Sequence, residues 1–372
     1  MVFVMRTTNI WRQFDYVLLI ATLILVVFGI IMIRSATNGA TDPDLISRVP
    51  SQIQFMIIGT ILLLLVTIVD YRLLGSIHLW LYLFMVGILV MVLLFGQEGD
   101  GGSKSWLNIG ILIQPAEIAK LLIIITLGYH FSNRYHKMDS LKTVFGSLIH
   151  VAVPIGLIFI QPDLGTVIVF SVLWFTLAWA SGLRLKHIGM GLFIAIVSFP
   201  ILWSVMLPYQ RERITNFITP DTGQDSYGSR YNIRQAAYAI GSGGLFGKGY
   251  GNGTQTQYRF LRVRHTDFIF CVIAEEFGLV GGTTVIFILG IVIMRILRAA
   301  RLAADPLGSM ICYGIAATIF FQCVTAIGMN LGILPVTGLT LPLVSSGGTS
   351  LMSILIGIGL VESVVVRRRR FA

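Results

Sequence analysis

The residues able to do chemistry are few, and each sits in an identifiable place. Glu117 and Lys120, in QPAEIAKLL, are three positions apart and share one helix face. Inside an apolar run each charge is costly and functional by default, and pairing is the economical way to bury both. The pair marks either an inward-facing, hydrated position or a structural ion pair bracing helices. Asp163, in QPDLG, lies at a Pro-marked helix break, where a carboxylate can cap the next helix. Asp267, in RHTDFIF, stands where a long polar segment meets an apolar span, beside Arg264 and His265. An acid at the lipid–water boundary can reach a lipid headgroup while low-dielectric surroundings tune its proton affinity, which suits general acid–base work. Plain interfacial capping is the other reading. Glu275 and Glu276 lie about two turns further on. Neighbouring helix positions diverge by about 100°, so only one of them readily faces a given cavity.

The glycine-rich stretch GSGGLFGKGYGNG, Gly241 to Gly253, invites a nucleotide-loop reading and fails it. A phosphate-binding Walker loop would need Gly at Ser242 and Ser or Thr at Gly249, and no G-x-G-x-x-G register exists. Its backbone amides can still form anion-binding nests, or the stretch can be a flexible linker. Arg211, Arg213, Arg230, Arg234 and Lys248 supply positive charge suited to a diphosphate, with loop solvation as the alternative.

The elements that must position these groups are membrane spans. Of 372 residues, 55% are hydrophobic and 12% charged, about half the charge usual for soluble domains, and the mean hydropathy is +0.84. That balance excludes a water-soluble enzyme, a disordered chain and a nucleic-acid-binding module, despite a formal charge of +10. A bilayer core of about 30 Å needs roughly 20 apolar residues per helix. Ten runs qualify, centred on Val17–Ile33, Ile53–Val69, Ile77–Phe95, Ile111–Phe131, Val144–Ile160, Leu164–Gly182, Ile188–Leu207, Phe268–Met294, Leu307–Leu334 and Ser350–Val366. The fifth and sixth are joined only by Gln161-Pro162-Asp163 and so form a tight helical hairpin. The first reads as a retained span rather than a removed signal peptide. Cys271, Cys312 and Cys323 lie inside apolar runs and read as buried small residues rather than disulfide or zinc partners.

Lys and Arg counts set the orientation. Arg6, Arg12, Arg72, Arg134, Lys137, Lys142, Arg184, Lys186, Arg295, Arg298, Arg301 and the run Arg367 to Arg370 gather on one side, against Arg34, Arg48 and Lys104 in the short loops of the other. The positive-inside rule then places both termini in the cytoplasm. The polar segment Pro208 to Thr266, between spans seven and eight, falls on the outer side, and loops of this length are usually functional. Within it, Arg230 to Ile240 has Ile233, Ala236, Ala237 and Ile240 at helical spacing, as in a short amphipathic helix lying on the outer leaflet. The expectation is one integral membrane domain over residues 1–372, all-α, with ten spans and its chemistry in the outer loop at about 208–267.

Taken together, the strings GGSKSWLNIG, IQPAEIAK, IQPDLGT, YQRERI, YNIRQAAYAIGSGGLFGKG, GTQTQ, RHTDFIFCVIAEEFGLVGG and MNLGILPVTGLTLPLVSSGGTSL resemble the SEDS family (shape, elongation, division and sporulation). They run from about Gly101 to Leu351 in the family's order. The short N-terminus and GKG…GTQTQ look more like the elongation (RodA) branch than the division (FtsW) branch. Two departures stand out. The family usually reads LPERHTDF where this chain has LRVRHTDF, with Arg262 and Val263 at the Pro and acidic positions, and Ser346 replaces a usual Tyr. Both put substrate-contact details in question more than the activity itself.

The resemblance implies a peptidoglycan glycosyltransferase of the bacterial inner membrane that polymerises lipid II during elongation and shape maintenance. It implies Asp267 as the key acid–base residue, and Trp106, Glu117, Lys120, Asp163, Lys248, Gln255 and His265 match other family motif positions. It further implies a class B penicillin-binding protein as transpeptidase partner and a divalent cation, Mg²⁺ or Mn²⁺, which carboxylate and diphosphate ligands would suit. No nucleotide is expected. A rival reading is a transporter of lipid-linked precursor, since intramembrane charges and Gly-rich spans suit alternating access. The absence of inverted-repeat symmetry and the one-sided polar loop favour an enzyme. A pure scaffold would leave the interfacial acid unused.

Overall fold

A computed structural model describes residues 10–98, 104–108, 110, 112–134, 140–206, 211, 214, 215, 217, 218 and 229–368. Helices occupy all ten predicted apolar stretches. A short α1 (Ile10–Gln13) leads into α2 (Tyr16–Thr37), α3 (Pro43–Ile68), α4 (Tyr71–Ser76) and α5 (His78–Phe95). Then come α6 (Pro115–Ser132), α7 (Leu141–Ile160), α8 (Leu164–Ala180) and α9 (Leu185–Val205). The C-terminal part holds α10 (Ser229–Gly243), α11 (Thr254–Gln257), α12 (Ile269–Leu302), α13 (Pro306–Asn330) and α14 (Gly348–Val366). Among the described residues, seven of these, α2, α3, α5, α7, α12, α13 and α14, are long and apolar enough to cross a membrane. Helix α8 is apolar but shorter, and Glu117 and Lys120 make α6 less apolar. The chain is a polytopic helical membrane protein. One addition to the all-α expectation is a small antiparallel sheet between α5 and α6, of β1 (Gln97–Glu98), β2 (Lys104–Asn108) and β3 (Leu112–Ile113). It pairs Gln97 with Trp106 and Leu107 with Ile113.

Burial sorts the helices into layers. The most apolar windows of α13 and α14 are 67% and 78% buried, whereas those of α3 and α5 are 22% and 17% buried. Helix α6 is buried at nearly every position from Pro115 to Gly128. Thus α6, α13 and α14 form the centre, and α3 and α5 show apolar faces to lipid, with Trp80, Leu94 and Phe95 largely exposed. All three cysteines are buried and free.

Aspartates start the helices. Asp15, Asp42, Asp70, Asp163 and Asp305 each accept a backbone N–H from the first turn of α2, α3, α4, α8 and α13 respectively. Each satisfies an amide the helix cannot bond itself, an effect of roughly 1 kcal/mol. Asp163 therefore does cap, as its Pro-marked setting suggests. Pro follows at the first helical position after Asp42 and Asp305, where its missing N–H costs nothing.

Two expectations need correction. The eighth span is not one helix from Phe268. Gly278 has φ 66° and ψ −161°, so α12 is a short buried segment, Ile269–Phe277, joined through a break to Leu279–Leu302. The second part alone rises about 36 Å, enough to span, and its side chains at Leu279, Val280 and Phe287 are exposed. The amphipathic helix exists, longer than expected, but its apolar face is turned. Ala236 and Ala239 are fully buried with Leu261, Phe268 and Cys271, whereas Ala237 is exposed. The stripe packs on α12, a protein surface, rather than on the outer leaflet. Periodicity shows that a face exists but does not say what covers it.

Candidate active site

Apart from YQRERI, which lies mostly outside the described residues, the motif strings gather at the end of the bundle where α6, α8, α12 and α14 begin. Asp267 stands one residue ahead of the N-cap of α12, which is Phe268 and makes no side-chain cap bond. Unlike the five capping aspartates, it is therefore placed just outside its helix, half-buried. Its backbone is gripped from several sides. Asn330 Nδ2 donates to the Asp267 carbonyl at 2.7 Å, and Asn330 Oδ1 accepts the Cys271 N–H at 3.1 Å. Ser345 Oγ donates to the Thr266 carbonyl at 2.7 Å and accepts the Leu341 N–H at 2.9 Å. The Ser346 N–H donates to the His265 carbonyl at 2.9 Å. Ser346, the departure from the family's Tyr, is buried, and it still supplies this backbone contact.

The same region reaches α3, α6 and α8 through amides. Gln52 receives the Gly347 N–H and donates to the Ser345 carbonyl. The Gln114 N–H donates to Thr349 Oγ1 at 3.3 Å, and Gln114 Nε2 donates to Asp163 Oδ2 at 3.3 Å. Asp163 also takes the Thr166 N–H at 3.0 Å and hydroxyl at 2.8 Å. One turn into α6, Lys120 Nζ and Glu117 Oε2 pair at 2.7 Å, both nearly inaccessible. Ser353 Oγ donates to the Glu117 carbonyl at 2.7 Å. The pair borders a small cavity of about 20 Å³ walled by Ile124, Ile315, Ile319 and Ile354. Low dielectric holds such a pair tightly, and each partner makes the other tolerable.

Glu275 and Glu276 are both fully buried and point to different neighbours, as their angular separation requires. Glu275 accepts Lys248 Nζ at 2.9 Å, the Gln255 N–H at 2.9 Å, and both the N–H and hydroxyl of Thr256 at 3.2 and 2.9 Å. Glu276 accepts the Ser35 hydroxyl from α2. Part of the glycine-rich stretch is packed backbone to backbone against α12. The N–H groups of Lys248 and Gly249 donate to the carbonyls of Glu275 and Glu276 at 3.0 and 2.9 Å, groups that the break at Gly278 frees from helix bonding. In return, Leu279 and Val280 donate to the carbonyls of Gly244 and Leu245. Backbone meets backbone here: a Cβ on Gly247, at φ +79°, would lie 2.2 Å from the Glu276 carbonyl oxygen.

Among the other expected site residues, Lys248 is thus committed to Glu275, and Gln255 contributes its N–H to the same carboxylate. The Gln255 side-chain oxygen is buried without a hydrogen-bond partner among the described residues. Arg211 donates to the Ser204 carbonyl at 2.7 Å. Arg234 is half-buried on α10, and Trp106 is half-buried on β2. Arg213 lies outside the described residues, as does the side chain of Arg230. Arg264 is buried and donates to the Ala36 carbonyl at 2.5 Å, with its pKa lowered by burial and the nearby Arg259. Val263 takes a left-handed φ of 50°, a costly conformation for a β-branched residue. Gln52, Gln114, Asn330 and Ser345 escape a reading that searches spans for ionisable groups alone. Their signal was available, since an amide inside an apolar run also demands a partner.

The fold and site define a multi-pass membrane protein with a buried polar network gathered at one end. The chain belongs to the FtsW/RodA/SpoVE family of cell cycle proteins, whose family model matches residues 16–370. It is 36% identical over 357 residues to the peptidoglycan glycosyltransferase MrdB of Escherichia coli K12, covering 95% of this chain and 94% of the relative. It is 34% identical to the stage V sporulation protein E of Bacillus subtilis, covering 94% and 96%. Among solved structures, a chain of a peptidoglycan synthase complex that coordinates polymerization and crosslinking superposes with TM-score 0.81 at 29% identity, covering 96% and 99%. The rod shape determining protein RodA of Thermus thermophilus gives TM-score 0.70 at 28% identity, covering 97% and 100%.

Proposed function

We propose that this chain is a peptidoglycan glycosyltransferase that polymerises lipid II, with Asp267 as general base. One observation carries the assignment within the site: Asp267 is the aspartate at a helix start that stands ahead of the N-cap, on a loop whose backbone is fixed by Ser345, Ser346 and Asn330. Fixed placement is what a base needs in order to meet a hydroxyl within hydrogen-bond reach. In the proposed step the acceptor 4-hydroxyl gives its proton to Asp267 as its oxygen attacks the anomeric carbon of the donor. The bond to the diphosphate breaks on the opposite face, so the α-linked donor yields a β-1,4 bond in a single inverting displacement. A retaining route would require a carboxylate nucleophile as well. Glu275 is unsuited to that part, being fully bonded to the loop.

Arg211, Arg213, Arg230 and Arg234 remain candidates for the leaving diphosphate, while Lys248 acts through Glu275 to hold the loop. Trp106, Gln255 and His265 are candidate substrate contacts, and Glu117, Lys120 and Asp163 brace the helices beneath. A Mg²⁺ or Mn²⁺ ion would be shared here between protein and substrate. Among the described residues no three His, Cys, Asp or Glu side chains cluster, so Asp267 would hold the ion with the substrate's phosphates. Bound there, it would supply charge to offset the departing diphosphate.

The Lys/Arg asymmetry supports cytoplasmic termini and an outer catalytic loop at 208–267, within one membrane domain of ten spans in the inner membrane. Likeness to a chain of a polymerization–crosslinking complex supports a class B penicillin-binding protein as partner, and likeness to MrdB and RodA supports the elongation role. The transporter reading gains nothing from the α12 break, because the carbonyls freed there are bonded internally rather than offered to an ion. The test is purified protein with its transpeptidase, given labelled lipid II in detergent. Glycan chains from the native protein and none from Asp267→Asn support the assignment. Polymer made equally by both would sink it, and lipid II crossing sealed liposomes unpolymerised would favour transport.

A further inference from the structure

At the opposite end of the bundle from Asp267, the start of α2 and the ends of α12 and α14 enclose a pocket of about 10 Å³. Its lining holds Asp15, Arg295, Arg298 and Arg368 around an apolar wall of Ala299, Leu302 and Val365. The charges do not balance. Asp15 caps α2 and takes Arg295 in a two-pronged contact, with Nη2 to Oδ2 at 2.6 Å and Nε to Oδ2 at 2.8 Å. Behind it, Glu362 is fully buried and accepts the Asp15 N–H at 3.0 Å. Arg298 and Arg368 are exposed, and among the described residues neither has an ion-pair partner. Counting both carboxylates as ionised, the three guanidiniums still leave a positive excess.

Arg298 and Arg368 thus line a recess where, among the described residues, neither is in ion-pair contact with a carboxylate, although Arg368 lies within Coulombic reach of Glu362. Guanidinium forks match phosphate oxygens in geometry as well as charge. The recess also has a lipid-like second side, since its inner wall is apolar. Trp11 and Tyr16, both about half exposed, flank the start of α2. Such rings settle at the headgroup level of a bilayer. A ligand with a phosphate at the helix ends and hydrocarbon in the bilayer beside them suits both the charge and the neighbouring rings.

We propose that the mouth of this recess, which inside has room for no more than a water, holds the phosphodiester of an anionic glycerophospholipid at the surface, gripped by the exposed Arg298 and Arg368 and backed by Arg295. The site is separate from the substrate site and joins three helices at their ends. The chemistry shared with free phosphate is the oxyanion, and the experiment separates the two sources. The purified full chain and the R298Q/R368Q variant are examined by native mass spectrometry in micelles with added phosphatidylglycerol or phosphatidylcholine. Thermal unfolding in phosphatidylcholine micelles verifies that the variant is folded, which substitution of two exposed side chains should leave unchanged. The native chain is expected to retain phosphatidylglycerol at about tenfold lower lipid concentration than the variant, with no difference for phosphatidylcholine. Equal retention of phosphatidylglycerol by the two proteins would overturn the site. Displacement of the lipid by inorganic phosphate at the same concentration would reassign the pocket to free phosphate and overturn the lipid.

Discussion

Glu275→Gln is the most informative single change outside the proposed base. The carboxylate has no solvent access and receives Lys248 Nζ, two backbone N–H groups and the Thr256 hydroxyl. Glutamine keeps the volume but replaces one accepting oxygen with an NH₂ that faces donors. On either flip one loop amide, Gln255 or Thr256, loses its acceptor, and a buried unsatisfied donor costs about 1–3 kcal/mol. Lys248 also loses its counter-charge. Breaking a buried pair costs about 3–5 kcal/mol, but the Lys248 side chain is 26% exposed and can be partly rehydrated, so the low end applies. The loss should total about 4–6 kcal/mol, of which the larger share falls on opening of the loop. Hydrogen exchange reads the first part directly. Amides of residues 248–257 should exchange at least about 100-fold faster in detergent micelles, with a much smaller acceleration at the centre of α13. Glycan synthesis should fall with them if this loop positions Asp267. Unchanged protection at Gln255 and Thr256 would refute the clasp, and a uniform rise across the whole chain would show only general destabilisation.

Other consequences follow from the same contacts. Gly247→Ala places a Cβ against the Glu276 carbonyl at a left-handed φ, so folded yield in membranes should drop severely, measured by size-exclusion chromatography. Asn330→Leu leaves the Cys271 N–H and the Asp267 carbonyl without their side-chain partner, and polymerisation should fall about tenfold or more while the fold survives. Equal turnover would remove Asn330 as a positioning residue. Asp305 accepts the Tyr71 hydroxyl at 2.6 Å, Arg72 Nε at 2.8 Å and the Gly308 N–H at 2.9 Å. Burial works to raise its pKa, yet these bonds outweigh it and hold the group below its ordinary 3.8. A depressed carboxylate stabilises the fold above its unfolded pKa, and that contribution is lost as pH falls through the folded value. Asp305→Asn should therefore lower the midpoint of thermal unfolding at neutral pH by the equivalent of about 1–2 kcal/mol, with the gap closing below pH 3.8. A gap that is constant with pH would show that the charge of Asp305 is not involved.

Whatever depends on a residue and its near neighbours is legible in the chain's order of residues. Apolar runs of membrane length declare helices because a backbone in hydrocarbon must satisfy its own hydrogen bonds. The three-residue spacing of Glu117 and Lys120 made them partners before any tertiary contact was known, and the Pro beside Asp163 marked a cap. The motif strings identified the family and drew attention to Asp267. Whatever depends on the group across a gap emerges only on folding. Folding turned the α10 stripe toward α12 instead of lipid, because both surfaces are apolar and periodicity cannot tell them apart. It also paired Lys248 with Glu275, 27 residues away, and gave the Lys248 and Gly249 amides the carbonyls that the break at Gly278 sets free. Gln52 and Asn330 become meaningful only beside Ser345 and Asp267, since a buried amide has no chemistry of its own until the fold supplies the group it must bond.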